Sequence, residues 1–244
     1  IAIIFMALGS FPFLVLAQTN LKNPFATFKD HQVRIFLLIL LISISLIYFF
    51  AKEFISGSEI NKIIIISFNT ISIISGTGYI SENFENWGNY ASVLFLILMF
   101  IGGCAGSTTG GLKVFRFQIL FKFITLHLKR MIHPHAIIAS HFNNKKINES
   151  TYESVMSFFF IYILTFAIST LLLSFSGLDF LTCFSAAASA ISNVGPGLGE
   201  IIGPNGNYST FSSYSKFVLV ITMLLGRLEM LTVLILFMPY FWKN

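Results

Sequence analysis

Val33–Phe50, Ser154–Phe175 and Phe217–Trp242 are apolar runs, each close to the roughly 20 residues a helix needs to cross a bilayer. A fourth candidate, Tyr90–Gly102, is shorter, and Ile1–Ala17 reads as the end of one more span. Only 10% of the 244 residues are charged, 55% are hydrophobic, and the mean hydropathy is +0.82. A soluble domain carries roughly 25% charged residues. This composition cannot cover a soluble surface of that size, and it is far too apolar for a disordered chain. An aqueous enzyme is excluded, and lipid is the solvent that fits.

The net charge of +5 raises nucleic acid as a partner, but the cations interleave with the apolar runs and act as topology signals. Lys22, Lys29, Arg34, Lys113, Arg116, Lys122, Lys129, Arg130, Lys145, Lys146 and Lys243 fall on one side of the expected membrane. Lys52, Lys62 and Lys216 fall on the other. The positive-inside rule puts the larger group in the cytoplasm. Two further apolar stretches, Ile63–Ser75 and Phe180–Ser192, are too short and too rich in small residues to span. They read as re-entrant helices that dip in from outside, each ending in a glycine-bearing string.

An internal repeat supports this reading. When Ser67–Tyr79 is placed beside Phe184–Pro196, Ser72 meets Ser189, Ile74 meets Ile191, Ser75 meets Ser192 and Gly78 meets Gly195. In the spans that follow, Ile97 meets Ile221, Met99 meets Met223 and Gly102 meets Gly226. The shared order is span, short re-entrant helix, glycine string, span. Repeated membrane units of this kind surround a common axis or site.

The first string is Ser75, Gly76, Thr77, Gly78 and Tyr79; the second is Ser192, Asn193, Val194, Gly195 and Pro196, followed by Gly197. Glycines let carbonyls turn toward an axis, where their oxygens replace the water around a monovalent cation. The helix ahead of each string points its negative C-terminal end at the same place. A third motif, Gly102-Gly103-Cys104-Ala105-Gly106-Ser107-Thr108-Thr109-Gly110-Gly111, interrupts the span that starts at Tyr90. Each Gly costs up to about 1 kcal/mol against Ala in a helix, so this run does not continue one. Irregular backbone at membrane depth survives only where it lines a cavity or is buried in protein. A flexible polar loop below a filter suits a gate. It is not a phosphate loop: Leu112 stands where the Walker lysine belongs, and Lys113 comes one place late.

Arg227 and Glu229 lie within the last span. An intramembrane charge costs roughly 2.5–3.5 kcal/mol on insertion scales, so both are expected to face protein or water. At pore depth Arg227 either repels permeant cations or holds the glycine loop through its carbonyls; the rival reading is a structural ion pair. His133-Pro134-His135 reads as a cytoplasmic boundary, not a metal site. Cys104 and Cys183 have no CxxC spacing and read as small packed residues. No catalytic constellation, metal cluster or cofactor motif is visible, so the expectation is a non-enzyme.

At this point the residues resemble a known family. Ile101–Lys113, His133-Pro134-His135, Asn193–Gly199 and Leu224–Glu229 are similar to motifs of the TrkH branch of the Trk/Ktr/HKT potassium transporters, and the resemblance covers essentially the whole chain. It implies an all-α membrane protein built from membrane–pore-loop–membrane repeats, four of them around one potassium pathway. Residues 1–17 would end a preceding helix, 18–32 and 131–151 would be cytoplasmic loops, and 33–130 and 152–244 would be the third and fourth repeats. Ser75–Tyr79 and Ser192–Pro196 would be two filter segments, and Gly102–Lys113 the intramembrane gate. Arg227 would face the pore. K⁺ would be the transported ion, held by backbone carbonyls, with no cofactor. The implied setting is the bacterial inner membrane, with lipid, a second copy of the full protein and a cytosolic TrkA-like nucleotide-binding subunit as partners. Two filter segments cannot encircle an ion. The chain is therefore expected to be a truncated transporter or a half-pore that must pair. A non-transporting scaffold or inactive fragment is the alternative, and a secondary transporter of a small organic solute comes behind both.

Overall fold

The computed structural model describes residues 1–18, 26–133, 141–142, 145–228 and 230–242. The fold is all-α, apart from a two-residue pairing of β1 (His141–Phe142) with β2 (Lys145–Lys146). The chain opens with α1 (Ala2–Gly9), α2 (Phe13–Gln18) and α3 (Ala26–Lys29). The run expected to close one span, Ile1–Ala17, is thus two short helices. The break falls at Ser10–Pro12, where Pro12 has no N–H to give to a helix. Its purpose appears in the contacts below: the freed Ser10 carbonyl and Phe13 N–H bind another segment.

The span α4 (His31–Ala51) starts at Asp30, whose carboxylate accepts from the N–H of Gln32 at 2.7 Å and of Val33 at 3.3 Å. Val33, Phe36, Leu40, Ser43, Ile47 and Ala51 form its single buried stripe. Leu38, Leu41, Ile42, Leu46, Phe49 and Phe50 are exposed. A helix apolar all round with one protein-facing stripe belongs in lipid. The second long span is α8 (Glu149–Ser174), with the same character.

After α4 the chain folds back. The Tyr48 hydroxyl donates to Glu59 at 2.5 Å, which sets the start of α5 (Glu59–Ile74) beside the far end of α4. This helix burrows inward: Ile66 and every residue from Asn69 to Ile74 are buried. The chain then returns alongside it, because Ser81 N–H donates to Asn69 Oδ1 at 3.1 Å and Asn69 Nδ2 to Ser81 Oγ at 2.9 Å. A turn of 3₁₀ helix at Phe84–Trp87 leads into α6 (Asn89–Phe100). The glycine loop follows, then α7 (Val114–Ile132), an amphipathic helix packed on α8 and α4. The broken second span is therefore α6, loop, α7, and the cations from Arg116 to Arg130 ride on α7. Pro134 and His135 lie outside the described residues, as do Glu229 and Lys243; His133 ends α7.

The second unit repeats the plan. From α8 the chain turns into α9 (Phe180–Ser192), buried at Thr182, Cys183 and all of Ser185–Ser192. Another 3₁₀ turn, Tyr208–Thr210, precedes α10 (Ser213–Arg227). The single last span expected over Phe217–Trp242 is instead α10, a separate α11 (Met230–Leu236) and a 3₁₀ turn at Pro239–Trp242. Both units thus break their second helix, the first after Phe100 and the second after Arg227.

Candidate ion pathway

Each buried helix is started by a side-chain cap and stopped by a string. Ser58 Oγ accepts from Asn61 N–H at 3.4 Å at the start of α5. Asp179 Oδ2 accepts from Thr182 N–H at 3.1 Å at the start of α9. The Thr182 side chain, and after it the backbone N–H groups there, hold the Asp179 carboxyl below its ordinary value. At the other end each helix directs its carbonyl, negative pole into the protein, a polarity that favours cations.

The strings repeat each other at the level of hydrogen bonds. In string 1, Thr77 N–H and Gly78 N–H donate to the Ser72 carbonyl at 3.0 and 3.2 Å. In string 2, Val194 N–H donates to the Ser189 carbonyl at 3.0 Å, and Gly195 N–H to Ser189 Oγ at 3.0 Å. The backbone turns left-handed at alternate residues in both: Gly76 (φ 68°) and Gly78 (φ 74°), then Asn193 (φ 55°) and Gly195 (φ 117°). The strings lie side by side. A Cβ on Gly78 would overlap the Val194 carbonyl oxygen, and one on Gly76 would sit 3.5 Å from the Asn193 oxygen. Tyr79 is largely exposed, Ser75 Oγ pairs with Thr77 Oγ1 at 2.6 Å, and Pro196 packs near Gly78.

Outer supports differ. Tyr162 and Ser192 share a hydroxyl–hydroxyl bond of 2.7 Å, Asn193 Nδ2 donates to the Met223 carbonyl at 3.2 Å, and Tyr208 Oη donates to the Gly195 carbonyl at 2.8 Å. Of these outer partners only Met223 entered the sequence reading, as the repeat match of Met99.

Directly below lies the glycine loop. Its feet are tied: Gly102 N–H donates to Leu112 O at 2.9 Å, Leu112 N–H to Phe100 O at 3.0 Å, and Val114 N–H to Gly103 O at 3.0 Å. Inside, Thr109 Oγ1 accepts from Gly103 N–H at 2.9 Å and pairs with Ser107 Oγ at 2.8 Å; Ser107 Oγ donates to Cys104 O at 2.6 Å. The loop approaches the strings so closely that a Cβ on Gly110 would overlap the Ser192 carbonyl oxygen. The sequence suggested a flexible loop, but this one is pinned on every side. Cys104 N–H donates to Ser10 O at 2.9 Å, Phe13 N–H to Gly106 O at 3.0 Å, and Thr108 Oγ1 to Gly9 O at 3.2 Å. Ala105 N–H donates to Gln32 Oε1 at 3.0 Å, which puts the loop at the basic, N-terminal end of α4. Lys113 Nζ reaches Ser107 O at 3.5 Å.

Arg227 sits at the end of α10 and donates through Nη1 to Thr108 O at 2.9 Å. Of the roles weighed for it, holding the loop by a carbonyl is the one with a visible contact. Lys113, Arg116, Arg227 and Phe158 line a cavity of about 180 Å³ with Ser107–Gly111 and Gly226. The Arg116 guanidinium lies 3.7 Å over the Phe158 ring. Among the described residues, no group of three His, Cys, Asp or Glu side chains is placed to hold a metal ion.

Two helical units, each a long apolar helix, a short buried helix, a string with left-handed residues and a broken second helix, make up an all-α fold of the membrane-protein type. The chain belongs to the TrkH family: the family's sequence model, described as a cation transport protein, matches residues 1–243. It is 39% identical over 242 residues to the Trk system potassium uptake protein TrkI of Halomonas elongata, covering 99% of this chain and 49% of that protein. It is 34% identical over 236 residues to TrkH of Salmonella typhimurium, covering 95% and 47%. The crystal structure of the potassium transporter TrkH from Vibrio parahaemolyticus superposes with a TM-score of 0.89 at 32% identity, over 99% of this chain and 52% of that one. The chain spans about half the length of the relatives it matches.

Proposed function

We propose that this chain supplies half of a potassium-selective uptake pathway across the bacterial inner membrane. Backbone carbonyls of Ser75–Tyr79 and Ser192–Pro196 take the place of the ion's water, and Gly102–Lys113 obstructs the path below. The observation that carries the reading is the pair of strings side by side, each left-handed at alternate residues and each at the carbonyl end of a buried helix. Alternating left-handed residues let successive carbonyls face one side, which right-handed or extended backbone does not. The relatives' names, Trk potassium uptake proteins, point to the same ion. The reading involves no enzyme chemistry and no cofactor. In it K⁺ is cargo, Arg227 is the pore-facing cation that latches the gate, and gating is imposed from the cytosol by a TrkA-like subunit on a homodimer of the full protein.

Four string segments are needed around an ion. They come either from two copies of this chain or from this chain with further repeats. The test is rubidium uptake, as a K⁺ surrogate, by proteoliposomes holding this chain alone and, separately, a polypeptide that adds two upstream repeats of a relative, each with Na⁺ competition. Selective uptake by either assembly supports the reading and says which one conducts. Folded protein that conducts in neither form refutes it and leaves a non-transporting scaffold.

A further inference from the structure

We propose that Glu85 is a positioning residue that holds the second string from the first unit, by accepting a backbone hydrogen bond at Gly199. The inference rests on the pore reading above. Glu85 lies in the Phe84–Trp87 turn that follows string 1, and that turn is anchored in the core. Phe84 and Trp87 are fully buried and pack on Phe95, with ring centroids 4.3 and 6.0 Å away. Asn83 Oδ1 caps the turn by accepting from Glu85 N–H at 3.0 Å. The backbone of Glu85 is therefore anchored mainly in the first unit.

Its side chain crosses to the second unit. Oε1 accepts from Gly199 N–H at 2.6 Å, the short distance of a charge-assisted bond. Oε2 faces Gly203, where a Cβ would sit 2.6 Å from it. Gly203 N–H in turn donates to Gly199 O at 2.8 Å, so the carboxylate occupies a niche made by one tight turn. Gly199 has φ 96°, a conformation that suits glycine and presents its N–H outward to Glu85.

That turn continues string 2. Gly197 N–H donates to Ile202 O at 2.8 Å, and Leu198 is held at both ends by Ser185 Oγ, its N–H at 2.9 Å and its carbonyl at 3.2 Å. Glu85 at Gly199 and Ser185 at Leu198 together fix the segment that leaves string 2, four residues after Gly195. String 2 is thereby registered against string 1 from outside as well as by the Gly78–Val194 contact.

Reach and charge separate cleanly at this position. Gln keeps an acceptor oxygen at the same reach without charge, and Asp keeps the charge one methylene short. The experiment compares E85Q, E85D and E85A for rubidium preference over Na⁺ in the conducting assembly identified above, beside Gly78→Ala. E85D and E85A, which lose the bond, are expected to lose the preference about tenfold, while E85Q, which keeps the bond without its charge, loses clearly less. A Gln variant that loses as much as the Asp variant overturns the proposal, and so does an Asp variant that keeps the preference. If E85A does not reach the membrane folded, the Gln and Asp pair decides alone. Gly78→Ala with unchanged preference would sink the pore reading itself. Loss there, with E85D unchanged, removes only the assignment of Glu85.

Discussion

String 1 turns left-handed at two glycines and takes its hydrogen bonds from its own helix, at Ser72 and between Ser75 and Thr77. String 2 makes the same turns at Asn193 and Gly195, and is braced from outside by Met223 O, Tyr162, Tyr208 and Glu85. The backbone shape and the bonds back to the preceding helix are common to both; string 2 carries tertiary braces in addition. A left-handed non-glycine residue costs of order 1–2 kcal/mol. The Asn193 amide bond to α10 offsets part of that cost. The comparison explains why so few residues match between the units although Thr77 and Val194 make equivalent bonds to Ser72 and Ser189.

The largest effect is expected where the strings touch. Gly78→Ala adds left-handed strain and an overlap with the Val194 oxygen, together roughly 3 kcal/mol or more. At the equivalent place in string 2, a Cβ on Gly195 would meet only Gly78 Cα, at 4.0 Å. Gly195→Ala should cost only the backbone strain, about 1–2 kcal/mol. Thermal unfolding in detergent compares the two; equal losses would mean that the contact between strings is not what limits Gly78.

Asn193 sharpens the contrast. Asn193→Ala should cost about 2 kcal/mol, losing the amide bond and leaving the left-handed turn on a residue that disfavours it. Asn193→Gly keeps the turn free of strain, turns string 2 toward the chemistry of string 1, and should cost about 1 kcal/mol or less. An Asn193→Gly variant less stable than Asn193→Ala would reverse this account.

Arg227 ties the second unit to the first unit's loop. Arg227→Gln removes the charged donor at Thr108 O, for about 1 kcal/mol at an exposed site, and should raise basal ion leak with little change in melting temperature. Conductance measured in bilayers checks it, and an unchanged leak would argue against a latch.

The smallest effects are expected at the caps. Ser58→Ala and Asp179→Ala should each cost about 1 kcal/mol. They should differ in pH dependence. The Asp179 carboxyl titrates lower in the folded protein than in the unfolded chain, so its extra stabilisation is complete above the ordinary carboxylate value. It is lost as pH falls through the lowered value. Stability measured from neutral to acid pH should therefore fall less in Asp179→Ala than in the unmodified protein, while Ser58→Ala runs parallel to it.

Much of the plan was legible in the residues. The long apolar helices α4 and α8, the short buried helices α5 and α9 and the failure of Gly102–Gly111 to be helical all follow from hydropathy and from glycine's backbone, whereas the breaks inside Ile1–Ala17 and Phe217–Trp242 do not. The alignment of Ser72 with Ser189 proved to join two residues in one hydrogen-bonding role. Other features were not legible. Nothing near Ile1–Ala17 says that Ser10 and Phe13 will bind Cys104 and Gly106, because those partners are distant in the chain. The pinned state of the loop was hidden for the same reason: each of its anchors, at Gly9, Ser10, Phe13, Gln32 and Arg227, lies on or next to another helix. Glu85 carried no signal beyond a carboxylate after a string.

What the sequence by itself determined is where backbone must be helical, where it cannot be, and which ends carry positive charge. Those depend on transfer free energies and dihedral preferences, which each residue brings with it. Only the tertiary structure decided that the strings abut at Gly78 and Val194, that α10 stops where Arg227 meets Thr108, and that one unit's carboxylate seats the other unit's turn. Those depend on close approach of groups far apart in the chain, and a contact of a few ångströms is a property of the packed whole.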